Sequence, residues 1–317
     1  MRLRNTIKMV FATFGTTYKV LLYKLVIYTL IAVAAYFAIA PNFNAILEAS
    51  KLPDLIKSFG EVIMSFFNDT MAPETAQKVF TQNLGHFNDY LKGNMSDIYI
   101  VLILLGLFLI LLNFLDNLGI FALGEIVNDH MQSLADRGFV ISIFKDLKKA
   151  LLFSLIEVGT NFVFFASSLA ISLAIYILGF DAIGLLAIFF AIIAFITIYA
   201  LKQAFTTDFM PAIIVDGKTI GEAFKESIKI KKGVFGKTYS NYITLALMIM
   251  FMNVSFAICT FFTGLLITVP LSLLIIVAFQ CVNYFTVKGK KYFISSDEII
   301  VPKGAKEDLS LVADIDE

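Results

Sequence analysis

Lys24, Asp116 and Glu157 stand inside long apolar stretches, where an ionised side chain costs about 2.5 to 3.5 kcal/mol at a helix centre. Charges in such places either do chemistry or are paired. The two carboxylates have amide or hydroxyl company at helical spacing: Asn113, Asp116 and Asn117 share one face, as do Glu157, Thr160 and Asn161. Gln280 and Asn283 fall at the same depth of the last stretch. One reading is an inward-opening ion or proton site, with Asp116 and Glu157 as carboxylates and Lys24 as counter-ion. The other is a hydrogen-bonded belt in which Lys24 reaches toward the headgroups and the carboxylates pair for packing specificity. The outer half of the stretches carries no comparable polar layer, which a conducting path would need.

The elements that position these residues follow from composition. Of 317 residues 59% are hydrophobic and 16% charged, and mean hydropathy is +0.84, more than a soluble core absorbs. A hydrocarbon layer about 30 Å thick needs about 20 apolar residues in helix. Six stretches qualify, at about 20–40, 98–121, 150–178, 183–201, 242–262 and 265–287. They form one all-α, polytopic transmembrane domain over residues 1–287, followed by a tail at 288–317. Short separations at 179–182 and 263–264 make antiparallel hairpins, and an even number of spans puts both termini on one side. That side carries 20 of the basic residues, whereas loop 41–97 opposite has Lys51, Lys57, Lys78 and Lys92 beside seven acids. Basic residues stay on the cytoplasmic side, so both termini are expected there, in the cell membrane. The first stretch is long for a signal peptide and is read as an uncleaved span.

Matches at an offset of 80 residues suggest internal repetition. Asp136, Val140, Phe144, Lys145, Asp146 and Lys149 correspond to Asp216, Ile220, Phe224, Lys225, Glu226 and Lys229. Gln203 to Thr206 correspond to Asn283 to Thr286, and the N-terminus has a similar pattern at Thr6, Ile7, Val10 and Phe11. The implied unit is a cytoplasmic amphipathic helix followed by a two-span hairpin, used three times about a pseudo-threefold axis along the membrane normal. Shared composition of membrane helices is the competing explanation.

The third such helix has a capping box at Thr219 and Glu222, with Ile220, Ala223, Phe224, Ser227 and Ile228 on one face. The segment from Met210 to Gly233, including Asp216-Gly217 and Glu222 to Ser227, is similar to the cytoplasmic signature of a group of bacterial six-span proteins. That group includes the YciC-like proteins and the membrane domain attached to some glycerophosphodiester phosphodiesterases. The similarity covers residues 210–233 and the span pattern, and departs from the group in having Ile228 where a Trp is expected. It implies a membrane domain without catalytic residues of its own.

Other features divide between function and packing. Lys229, Lys231, Lys232 and Lys237 could contact anionic lipid headgroups, although cytoplasmic loops accumulate such clusters anyway. Loop 41–97 holds two amphipathic helices, one with Leu55, Phe59, Val62 and Phe66, the other beginning at Pro73. These could cap the bundle, bind a partner or lie on the membrane. His86 and His130 are separated by a span, Cys259 and Cys281 are too far apart for a disulfide, and enzyme motifs are absent. No cofactor or metal ligand set is expected, and a net charge of zero gives no reason to expect nucleic acid. The chain reads as a non-enzymatic membrane-organising or envelope factor working through lipids or protein partners. A small-solute or ion transporter is the alternative, and oligomeric state is left open.

Overall fold

A computed structural model describes residues 2–65, 73–135, 137–184 and 186–302. It is all-α apart from one short hairpin, and each of the six apolar stretches falls mainly in a helix long and apolar enough to cross a membrane. Helices α1 (Arg2–Ala12) and α2 (Thr16–Ser50) are followed by α3 (Leu52–Ser65), α4 (Pro73–Gly93) and α5 (Met95–Ser133). Next come α6 (Phe139–Lys145), α7 (Leu147–Ile183), α8 (Leu186–Thr206), α9 (Phe209–Asp216) and α10 (Ile220–Ser227). The chain continues through α11 (Phe235–Cys259) and α12 (Leu265–Lys288) to β1 (Tyr292–Ser295) and β2 (Glu298–Ile300).

The helices outrun the apolar stretches. Helix α2 passes through Pro41 to Ser50, because one missing N–H interrupts a single rung of the ladder. Helix α5 has 39 residues, about 58 Å, and carries its polar end past residue 121 to Ser133. Helix α8 continues past residue 201 through Lys202 and Gln203. The expected separation at 179–182 is instead the end of α7, which runs to Ile183 before the turn at Gly184, and α11 ends at Cys259.

Two units are separable, with boundaries inside α2 and α5. Val26–Asn113 is one; the residues up to Leu25 together with those from Phe114 onward are the other. In the first, α3 and α4 pack together, with Phe59 and Phe80 5.8 Å apart and Asn83 Nδ2 donating to the Asp54 carbonyl.

The larger unit is built around α12. Inside α12, 61% of the apolar stretch is buried, against 0 to 22% for the other five long apolar helices, so among the described residues α12 is the most enclosed of the six. Leu274 to Phe285 are nearly all buried. Helix α11 packs on α12, α8 on α11 and α7 on α8, while α1 and α9 pack on the C-terminal part of α12. The last turn of α12 closes at Gly289 (φ 69°), where the Lys290 N–H donates to the Phe285 carbonyl at 2.9 Å. That turn sends β1 and β2 back, pairing antiparallel, with Tyr292 and Ile294 buried. The expected tail thus begins with a hairpin that packs on α1.

Burial is concentrated at the terminus end of the unit, where the first and last described residues, on α1 and the β hairpin, pack together. An aromatic row of Phe121, Phe153, Phe209 and Phe224, with centroids 5.4, 5.0 and 5.2 Å apart, connects α5, α7, α9 and α10 there. Away from it, α7, α8 and α11 present Phe162, Phe189, Phe190, Phe251 and Ile258 outward. An exposed apolar surface of this extent is what a helix shows to lipid.

Candidate functional site

Lys24 on α2 and Asp116 on α5 meet at 2.8 Å, both with mostly covered side chains. The neighbouring Tyr23 hydroxyl donates to the Leu115 carbonyl at 2.6 Å, which is possible because Gly119 leaves room for the ring: a Cβ there would lie 2.5 Å from Tyr23. The cleft beside the pair, walled by Val20, Gly119, Leu123 and Leu273, has a volume of about 10 Å³. That is room for about one water.

Glu157 takes a different cation. Lys202 Nζ approaches its Oε2 at 2.6 Å, with both side chains under a tenth exposed. Hydropathy alone places Lys202 in a loop, because the apolar run stops at residue 201, one position short. Helix α8 continues, so the ammonium remains on the span and faces α7. Thr160 turns away, its hydroxyl donating to the carbonyl of Ile156 on its own helix.

The amides form further, separate contacts. Gln280 Nε2 donates to Gln203 Oε1 at 3.5 Å. The buried Tyr242 hydroxyl pairs with Thr207 at 2.8 Å. Asn283 accepts from Arg2 at 2.8 Å, with Thr238 also in range. Burial lowers the Arg2 guanidinium from its ordinary value, while Asp208 acts in the opposite direction. Asn117 is buried and Asn161 half-buried, whereas Asn113 belongs to the smaller unit. The single layer read from the sequence is therefore resolved, in the larger unit, into a Lys24 and Asp116 pair, a Glu157 and Lys202 pair, and separate amide and hydroxyl contacts.

At the terminus end lies a set of ion pairs that span arithmetic did not locate. Glu226 on α10 accepts from Lys218 and, at 2.8 Å, from Lys288, with Lys231 at 3.8 Å. Those ammonium groups hold its carboxyl at about 2, below the ordinary 4.5. Lys218 is raised in turn, chiefly by its bond to Glu226. Asp216 takes Lys290 at 2.7 Å and the Tyr284 hydroxyl at 2.6 Å. Beneath α6, Glu125 takes Lys145 at 2.7 Å; Arg137 Nη1 lies 3.0 Å from Asp129 Oδ2, outside hydrogen-bond geometry. The sequence signal for the hub was the capping box. Thr219 and Glu222 cap α10 reciprocally, and that fixed start presents Glu226 to α12.

The four lysines expected to contact lipid are not equivalent. Lys231 turns inward to Asp208 at 2.5 Å, because Asp208 is buried and needs a cation. Lys229, Lys232 and Lys237 are exposed, as is Lys225, beside exposed Ile228 and Ile230. Among the described residues no group of three or more His, Cys, Asp or Glu could hold a metal ion. Compared with family models, with curated proteins and with solved structures, the chain finds no match.

Proposed function

We propose that the chain is a non-enzymatic membrane-organising factor of the cell membrane, with both termini in the cytoplasm, acting through lipids and protein partners. The observation that carries this reading is that both intramembrane carboxylates of the larger unit are matched to a lysine in close contact, beside a cleft that admits about one water. A solute site needs polar groups held open for its ligand; these are bonded to each other. The partner with most support is anionic lipid. Lys225, Lys229, Lys232 and Lys237 face outward with Ile228 and Ile230 among them, combining charge for headgroups with apolar side chains for the acyl boundary.

The test is lipid selectivity in native nanodiscs of mixed phosphatidylglycerol and phosphatidylcholine. The wild type should enrich anionic lipid in its boundary shell, and changing Lys225, Lys229, Lys232 and Lys237 together to Gln should remove the enrichment without unfolding. Equal enrichment in both would refute the lipid reading.

The transporter alternative draws support from two buried polar pairs, Gln203 with Gln280 and Thr207 with Tyr242. Flux of an ion or metabolite in proteoliposomes that vanishes in Glu157→Gln, with the variant still folded by thermal melt and flux not restored in the re-stabilised Glu157→Gln, Lys202→Met variant, would establish it and displace the first reading. The threefold repeat is also part of this proposal. A short helix followed by two long ones occurs as α1, α2 and α5, as α6, α7 and α8, and as α10, α11 and α12, with the latter two turning at Gly184 and Gly264. An experimental structure in which residues 136–206 do not superpose on 216–286 in helix order and hand would remove it.

A further inference from the structure

Helix α6 is fixed on one side and bare on the other. Its inner face is held by Phe139, buried 5.1 Å from the Tyr23 ring, and by buried Ser142. Its two ends are tied to α5, Arg137 beside Asp129 and Lys145 on Glu125, whose side chain is only 1% exposed. The opposite face carries Val140, Ile141 and Phe144, at 64, 64 and 65% exposure. Spacing of one and four residues puts the three on one side of the helix. At the matching position 80 residues later, Phe224 is instead packed against Phe209.

The start of α7 indicates what covers the bare face of α6. One residue, Asp146, separates the two helices, and exposed apolar side chains resume immediately at Leu151, Leu152 and Leu155 on the span surface. Lys148 between them is exposed, and Lys149 is paired with Asp146. This is the arrangement of a helix lying in the membrane surface, with apolar residues below and ammonium groups at the headgroups.

We propose that α6 is an in-plane membrane anchor whose Val140, Ile141 and Phe144 side chains insert among the upper acyl chains of the leaflet at the terminus end. The ion pairs to α5 hold it rigidly, so its depth fixes that of α7. The occupant of the face is lipid, without any requirement for headgroup charge, and the inference rests on the spans crossing a bilayer.

The chain contains no Trp, so a single introduced indole is a unique reporter. Phe144→Trp and, separately, Ile141→Trp would be reconstituted in phosphatidylcholine carrying bromine either high or deep on the acyl chains. Phe165→Trp, on the exposed surface of α7, serves as the bilayer control. Both α6 reporters should emit at blue-shifted wavelength and be quenched at least about twofold by high bromines and less by deep ones. Quenching of the control with no quenching at either α6 position overturns the anchor while leaving the spans in place. A blue shift without lipid quenching that grows with the protein-to-lipid ratio assigns the face to a second copy and also overturns it. Loss of quenching at the control as well would overturn the membrane placement on which the inference rests.

Discussion

Removing the carboxylate from Glu157 while keeping its shape isolates the buried pair. In Glu157→Gln the Lys202 ammonium would remain on α8, less than a tenth exposed, with its 2.6 Å partner replaced by a neutral amide. Truncating one member of a desolvated pair costs about 3 to 5 kcal/mol, most of it the penalty of the charge left behind. At roughly 2 to 4 °C per kcal/mol, the melting temperature should fall by about 6 to 20 °C. The double variant Glu157→Gln, Lys202→Met removes both charges and should return to within about 1 kcal/mol of the wild type. Unfolding can be followed through Cys281, which is buried on α12, by a thiol-reactive dye in a Cys259→Ser background, since Cys259 is exposed. A single variant within about 1 kcal/mol of wild type would refute the claim that the pair is desolvated. A double variant no better than the single would refute the assignment of Lys202 as its partner.

The Glu226 hub gives a pH prediction. Its folded-state value is depressed from 4.5 to about 2, so its contribution is complete above about pH 4.5 and disappears as pH falls through 2. The depression corresponds to at most about 3 kcal/mol, reduced to about 1 to 2 by solvent at a side chain 22% exposed. Denaturation midpoints of wild type and Glu226→Gln should differ by that amount at pH 6 and converge toward pH 2; a constant difference would contradict the hub. Gly119→Ala should destabilise by about 1 to 2 kcal/mol net of helix propensity, since its Cβ meets a Tyr23 ring anchored to Leu115, and thermal melts beside Gly159→Ala, where space is open, would check this. For orientation, a cysteine at exposed Gln82 should label from outside intact cells and one at exposed Lys225 should not; the reverse would invert the topology.

Six spans were legible because about 20 apolar residues in succession have few other uses. The start of α10 was legible too, since Thr219 and Glu222 satisfy each other locally. The partner of Glu157 was not, because hydropathy marks where apolar residues stop and not where a helix stops. Lys202 lies just beyond that mark on a helix that continues for another turn. The same blindness hid the polar end of α5, whose Glu125 and Asp129 read as loop acids until Lys145 and Arg137 came back over them. The hairpin at Tyr292 to Ile300 carries only seven strand residues, too few for alternation to stand out, and its burial depends on α1 from the opposite end of the chain.

The enclosed position of α12 sets an order of assembly. It is the last of the six long apolar helices in the chain, so during synthesis the other five are made before α12, on which α1, α9 and α11 pack, exists. Arg2 and Asn5, made first, find Asn283 and Tyr292 only at the end, and until then their side chains must remain with water and headgroups. A ribosome stalled before residue 274 would therefore leave membrane-inserted hairpins without a centre, recognisable to quality control as loose helices in lipid.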